Sequence, residues 1–120
     1  MGALIHYTYA ASSAAYRTRI ALNFKGLAAE ERYVHLLKDG GQQHGAAYAG
    51  VNPQEIVPAL VDDGQAIGQS LAIVEYLDEV YPEPPLLPRA PLARARVRQV
   101  ALAIACDIHP LNNLRVRQYL

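Results

Sequence analysis

Residues 52–71 read N-P-Q-E-I-V-P-A-L-V-D-D-G-Q-A-I-G-Q-S-L, and this stretch decides the fold. Its apolar run, residues 56–61, predicts a strand that the chain enters through a proline. The Asp-Asp-Gly triplet that follows is typical of a hairpin turn, so residues 65–68 become a short partner strand. Ser70 is a strong helix N-cap, and the apolar spacing behind it predicts a helix over residues 71–81. A β-β-α unit is therefore expected here.

The residues before this unit predict a β-α-β arrangement. Residues 4–9 are β-branched and aromatic, which favours a strand, and Ser12-Ser13 then caps a helix over residues 14–25. Residues 32–37 predict a second strand, and residues 42–49 predict at best a short helix. The order over the first 82 residues is therefore β-α-β-(α)-β-β-α.

Apolar residues in the first helix recur at helical spacing. One face holds the residues at i, i+4, i+5 and i+8, which are Tyr16, Ile20, Ala21 and Phe24, because residues about four apart along an α-helix lie above one another. This spacing predicts one apolar face for that helix.

A proline-rich stretch separates this part from the rest of the chain. Residues 82–91 contain five prolines, which is typical of a stiff linker. A new helix begins near Leu92 and carries an apolar stripe that it cannot bury alone. We therefore expect a first domain over residues 1–82, a linker over residues 83–91, and an incomplete helical domain over residues 92–120. A partner chain could equally complete that domain.

Composition narrows the classes of function. The chain has 120 residues, of which 52% are apolar and 18% charged, and its formal net charge is zero. A basic nucleic-acid arm is thereby excluded. The single cysteine cannot form an internal disulfide, a CxxC redox pair or a cysteine zinc site. No signal peptide and no membrane-spanning run is present. We expect a cytoplasmic globular protein with no nucleic-acid or membrane partner.

Two serine-capped helix starts are the main chemical signal. A helix N-terminus presents free N–H groups and the positive end of the helix dipole, which together bind anions. Ser12-Ser13 and Gln69-Ser70 each supply such a start, and one anion could be a carboxylate and the other a thiolate. A purely structural cap is the alternative at each serine. Spacing alone predicts a trans Val57-Pro58 bond, and the histidines show no metal-ligand spacing.

Four segments are similar to one known family. The first two are Ser12–Leu22 (S-S-A-A-Y-R-T-R-I-A-L) and residues 38–43 (K-D-G-G-Q-Q). The third comprises N-P at residues 52–53, V-P-A-L at 57–60, Q-S-L-A-I at 69–73 and E-Y-L at 75–77, and the fourth is residues 106–115 (C-D-I-H-P-L-N-N-L-R). Together they resemble the zeta class of the glutathione transferases, including the maleylacetoacetate and bacterial maleylpyruvate isomerases. Ala14 stands where that family has cysteine, and Ala11 stands where it commonly has arginine.

The resemblance implies a fold and an activity. The fold is an α/β thioredoxin-like N-terminal domain followed by the start of an all-α C-terminal domain. The activity is glutathione-dependent cis–trans isomerisation of a maleyl oxo-acid such as maleylacetoacetate, by thiolate addition, rotation and elimination in a homodimeric enzyme. Three alternatives stay open: a maleylpyruvate isomerase, a zeta-class transferase or dehalogenase acting on small α-halo acids, and a non-catalytic interaction module.

The resemblance also implies roles for individual residues. Ser12, with Ser13 beside it, would stabilise the glutathione thiolate. Arg115, and next Arg17, would hold the substrate carboxylates. The glutathione-binding residues would be Gln43, Val57, Pro58 (after a cis bond), Gln69, Ser70, His109 and Asn113. No metal is implied.

Overall fold

The structure is a computed structural model that describes residues 3–9, 12–35, 38–54 and 56–108. The chain divides into two units, Met1–Pro84 and Pro85–Leu120. The boundary lies in the proline-rich stretch. Among the described helices, none has the length and apolar character that crossing a membrane requires.

A mixed four-stranded sheet with the order β2-β1-β3-β4 forms the first unit. Strand β1 (Leu4–Thr8) pairs in parallel with β2 (Glu30–Tyr33) and antiparallel with β3 (Ala59–Asp62). Strand β4 (Gln65–Gly68) completes the hairpin that the Asp-Asp-Gly triplet predicted. This order confirms the expected thioredoxin-like α/β class.

The helices follow in the predicted places. The first unit contains α1 (Ser13–Phe24), the one-turn α2 (Ala46–Ala49) and α3 (Ser70–Val80). Short 3-10 turns at Lys38–Gly40 and Gln42–His44 lead into α2. The second unit contains α4 (Pro91–Leu102), which continues as a π-helical turn over Ala103–Ile108.

Successive side chains of β1 point to opposite faces of the sheet. Leu4, His6 and Thr8 are buried, and their neighbours along the strand are partly exposed, as period-two alternation requires. His6 lies between α1 and β2, with its Nε2 2.7 Å from Thr18 Oγ1 and its Nδ1 2.8 Å from Glu31 Oε2. The α1 face of the sheet therefore carries a buried polar link, with Leu22, Leu60, Ile73 and Leu77 in the core of this unit.

The second strand lies earlier in the chain than its sequence predicted. The prediction was residues 32–37, whereas β2 spans Glu30–Tyr33 and all four of its residues are exposed. Pairing with β1 fixes this position, because Ile5 aligns with Glu30 and Thr8 with Tyr33. Val34 extends the pairing with β1 by one hydrogen bond, in which its N–H donates to the Thr8 carbonyl at 2.9 Å. An exposed edge strand such as β2 does not require alternating apolar residues, so the apolar pattern of the sequence predicted the wrong position for this strand.

The apolar spacing of α1 does not mark the face that packs in the first unit. Tyr16, Ile20 and Phe24 are each more than half exposed. Of the predicted face only Ala21 is buried, and the other buried residues of this helix are Ala15, Thr18 and Leu22. Small side chains let α1 approach the sheet closely, and close packing rather than side-chain size selects that face.

Candidate functional site

The N-terminus of α1 displays the hydroxyl of Ser12. Ser12 is the N-cap, and its Oγ accepts a hydrogen bond from the Ala15 N–H at 3.1 Å. Its own N–H donates to the Tyr9 carbonyl at 3.0 Å, which fixes the turn after β1. Within the described part of the chain, no group accepts the Ser12 hydroxyl proton, so that proton is available to a ligand. Ser13 begins the helix itself.

The N-terminus of α3 lacks a side-chain cap. Its N-cap residue, Gln69, has a φ of 69° and forms no capping hydrogen bond. The Gln69 side chain turns away, and its Nε2 donates to Gln54 Oε1 at 2.8 Å. The N–H groups of the first turn, beginning at Ser70, therefore lack the partner that a cap normally provides. An anion placed there would supply it.

Arg17 joins α1 to the start of α3. Its Nη1 donates to Ser70 Oγ at 3.2 Å, and Ser70 is buried. Because the Ser70 oxygen accepts this bond, its hydroxyl proton is free to point elsewhere. No described residue takes that proton. The Ser70 hydroxyl, the uncapped start of α3 and the Arg17 guanidinium thus lie together, and all three favour negative charge.

The Val57-Pro58 bond is cis. The prediction from spacing alone was trans and was wrong, whereas the expectation from the resemblance is confirmed. Local spacing carries no information about the isomer, since the surrounding structure selects it. Within the described ranges, the N–H and C=O of Val57 make no hydrogen bond, so this backbone can pair with an extended ligand.

Two side chains hold the carbonyl that precedes Val57. Tyr48 Oη donates to the Ile56 carbonyl at 2.6 Å, and Asn52 Nδ2 donates to the same oxygen at 2.8 Å. Both residues are buried. Neither was predicted as part of the site. Asn52 belongs to a segment that resembles the family, but no role was predicted for it, and Tyr48 was predicted only as part of a short helix.

The structure brings some of the predicted residues together and not others. Arg17 and Ser70 meet at the start of α3, and Ser12 lies at the start of α1. Gln43 is buried in the 3-10 turn before α2, so its side chain is not displayed on the surface. Three predicted site residues lie outside the described residues, namely His109, Asn113 and Arg115. Ala11, which stands where the family commonly has arginine, also lies outside them.

The ionisation of Tyr48 gives a first testable consequence. Burial raises the pKa of Tyr48 to about 12, and the neighbouring Tyr7 raises it further, against the opposing effect of Asn52. The unfolded chain ionises near its ordinary value of about 10. This phenol therefore stabilises the fold fully below about pH 10, and the contribution is lost as the pH rises towards 12.

We expect the wild type to lose stability relative to Tyr48→Phe between pH 9 and pH 11, by about 1 kcal/mol. Denaturant unfolding of both proteins at the two pH values measures this difference. Tyr33→Phe is the matched control, because Tyr33 is exposed. Equal pH slopes for wild type and Tyr48→Phe would contradict the assignment.

Comparison with known proteins places this geometry in a family. The model of the glutathione S-transferase N-terminal domain matches residues 7–85. A protein of Vibrio cholerae described as a probable maleylacetoacetate isomerase is 55% identical over 120 residues, which are 100% of this chain and 56% of that protein. The chain thus spans about half the length of the curated relatives it matches.

Two solved structures are also similar. One is the holo structure of a maleylpyruvate isomerase, a bacterial zeta-class glutathione S-transferase, with a TM-score of 0.91 and 45% identity. The other is the maleylacetoacetate isomerase of Methylobacterium extorquens AM1 with bound malonate and glutathione, with a TM-score of 0.89 and 51% identity. Each match covers 96% of this chain and 53% of the other.

Proposed function

This chain belongs to the glutathione S-transferase family, and on that premise we propose that the protein binds glutathione and isomerises a maleyl oxo-acid, maleylacetoacetate, from cis to trans. The observation that carries the proposal is the Arg17–Ser70 hydrogen bond, because it places a guanidinium at the uncapped start of α3, where the Ser70 hydroxyl keeps a proton to donate. The names and bound ligands of the similar proteins support the same class of reaction.

The described residues fit glutathione. A γ-glutamyl carboxylate at the start of α3 would accept from the Ser70 hydroxyl and from the uncapped N–H groups. The Val57 backbone would pair with the cysteinyl part, and Gln69 would lie beside the γ-glutamyl group. Gln43 is proposed near the glycine end, where its buried position limits it to a supporting contact.

Glutathione supplies the nucleophilic thiol on which this isomerisation depends. The protein must keep that thiol ionised near neutral pH, although an ordinary thiol has a pKa of about 8.5. Ser12 can donate its hydroxyl proton to the sulfur, and the α1 N-terminus adds positive potential at the same place. Both effects favour the thiolate.

Arg17 takes a positioning role in this proposal. Its Nη1 is engaged by Ser70, so it orders the glutathione carboxylate site rather than holding substrate. Binding of the substrate carboxylates is then proposed for Arg115, with His109 and Asn113 beside it. We further propose a cytoplasmic homodimer in which residues 1–82 form the glutathione-binding domain, residues 83–91 the linker, and residues 92–120 the opening of the helical domain.

Turnover of two maleyl acids by the whole protein tests the function. Maleylacetone, a stable stand-in for maleylacetoacetate, and maleylpyruvate would be followed by ultraviolet absorbance with and without glutathione. Glutathione-dependent turnover supports the proposal, and the preferred substrate distinguishes a maleylacetoacetate isomerase from a maleylpyruvate isomerase. Glutathione binding without turnover of either acid would overturn the isomerase assignment. Dichloroacetate then tests the dehalogenase alternative.

The positioning role of Arg17 makes a separate prediction. We expect Arg17→Ala and Ser70→Ala each to raise the KM for glutathione about tenfold, the effect of one hydrogen bond that serves a charged group. If Arg17 acts through Ser70, the double variant is no worse than Ser70→Ala alone. Steady-state kinetics of the four proteins provides the cycle.

The matched control for this cycle lies on the same helix. Arg19 Nη2 donates to Thr8 Oγ1 at 3.0 Å, a contact of the same type away from Ser70. Arg19→Ala should change the stability and leave the KM for glutathione within about twofold of the wild type. Additive effects of Arg17→Ala and Ser70→Ala would show that Arg17 does not work through Ser70.

A further inference from the structure

An open cavity lies on the face of the sheet opposite α1, against α2. Its volume is about 380 Å³, and its lining includes Tyr7, Arg32, Val34, Gln42 and Tyr48. Neither Ser12 nor Ser70 lines it. Tyr7 and Arg32 are aligned partners on the parallel strands β1 and β2, so their side chains stand side by side on this face. The cavity is therefore a product of the sheet register.

Two aromatic rings form one side of the cavity. The centroids of Tyr7 and Tyr48 lie 5.4 Å apart with the rings tilted by 53°. Rings at this separation present both faces and edges to a planar guest. A volume of about 380 Å³ lies at the lower end of the range for small-molecule sites. The space therefore suits one small planar ring.

Two hydrogen-bond donors stand beside these rings. Arg32 Nη1 donates to the Tyr7 hydroxyl oxygen at 3.2 Å, and the Arg32 Cζ lies 5.9 Å from the centroid of that ring. Arg32 Nε is engaged by Glu30. Among the described residues, no acceptor takes Arg32 Nη2 or the Tyr7 hydroxyl proton. Both the guanidinium and the phenol line the cavity, so each has a donor that a ligand bound there could use.

We propose that this cavity is a binding site for a small aromatic carboxylate, separate from the glutathione site. The ring lies against Tyr7 and Tyr48, and the carboxylate accepts from Arg32 Nη2 and from the Tyr7 hydroxyl. Arginine suits this role because its fork matches the two carboxylate oxygens. Tyr48 also holds the Ile56 carbonyl, so one wall of the cavity adjoins the cis-proline turn.

The charge of Glu30 should weaken the binding of a carboxylate to Arg32. Its carboxylate pairs with Arg32 on the exposed edge strand and offsets the positive charge that a carboxylate ligand would meet. Replacing the Glu30 carboxylate by an amide of the same shape should therefore strengthen binding of the ligand. Removing the guanidinium should weaken binding. Opposite responses from two neighbouring surface residues would not arise from a general loss of structure.

Titration of the protein with benzoate, followed by NMR chemical shifts, tests the proposal. We expect a dissociation constant in the millimolar range, because benzoate is small. Shifts should concentrate at Tyr7, Arg32 and Tyr48. Arg32→Gln should weaken binding about tenfold, and Glu30→Gln should tighten it about threefold. Benzamide should bind more weakly because it lacks the charge, and cyclohexanecarboxylate because it lacks the aromatic ring.

Saturating glutathione separates the two sites. Benzoate shifts that persist with glutathione present support a separate site, whatever the outcome for isomerase activity. Shifts centred on Ser12 and Ser70 that disappear on adding glutathione would overturn the proposal. Equal binding of benzoate and benzamide, or an unchanged dissociation constant in both variants, would also overturn it, as would no binding at all.

Discussion

Replacing Ser12 by alanine is expected to lower glutathione-dependent turnover about 10²- to 10³-fold, the usual effect of losing one donor to a developing or bound anion. The Ser12 oxygen already accepts from the Ala15 N–H, which leaves its proton for the sulfur. Without that donor the pKa of bound glutathione should rise, so the pH dependence of kcat/KM should move to higher pH. Ultraviolet absorbance of the bound thiolate reports the pKa directly.

Controls separate the donor role of Ser12 from its capping role. Ser12→Ala should also lose about 1 kcal/mol of stability, because the N-cap is removed. Ser12→Thr retains both cap and hydroxyl and should keep most of the activity. Ser12→Asn retains the cap without a hydroxyl and should keep stability while losing turnover. A large loss in Ser13→Ala, with little effect in Ser12→Ala, would assign the sulfur contact to Ser13 instead.

Lys25→Met is expected to destabilise the fold by about 3–5 kcal/mol, the usual cost of removing one member of a buried ion pair. Lys25 Nζ donates to Asp78 Oδ1 at 2.9 Å, to the Tyr81 carbonyl at 2.5 Å and to the Pro84 carbonyl at 2.7 Å. The Lys25 side chain is 0% exposed and that of Asp78 is 8% exposed. Denaturant unfolding of the wild type and the variant measures the loss.

Removing both charges should restore much of this stability. The double variant Lys25→Met/Asp78→Leu replaces a buried ion pair with apolar side chains, a change that is often neutral. Lys38→Met is the surface control, because Lys38 is exposed, and should stay within about 0.5 kcal/mol of the wild type. A double variant as unstable as Lys25→Met alone would show that the backbone contacts, rather than the ion pair, dominate.

The parts of the fold that sequence predicts well are those specified by neighbouring residues. The hairpin of β3 and β4 follows from the turn chemistry of Asp63 and Gly64. The start of α1 follows from Ser12, which forms the predicted capping bond. The prediction that Ser70 caps α3 was wrong by one residue, because Gln69 is the N-cap and Ser70 begins the helix. These signals lie within a few residues of the structure that they specify, so no tertiary contact is needed to read them.

The contacts that complete the site come from distant parts of the chain. Arg17 and Ser70 are 53 residues apart, as are Lys25 and Asp78. No local spacing relates such residues, because their meeting depends on how α1 and α3 pack. The isomer of Val57-Pro58 and the position of β2 are likewise fixed by pairing and packing. The resemblance to the family predicted the isomer of Val57-Pro58, whereas only the structure revealed the position of β2.

The conformation of Gln69 places function and stability in opposition. A residue with a side chain at a φ of 69° is less stable by roughly 1–2 kcal/mol than a glycine, which adopts this conformation freely. Selection for stability alone would favour glycine there. The glutathione contact that we propose for Gln69 would offset this cost, because glycine has no side chain with which to make it. Stabilising the protein by design should therefore begin elsewhere in the chain.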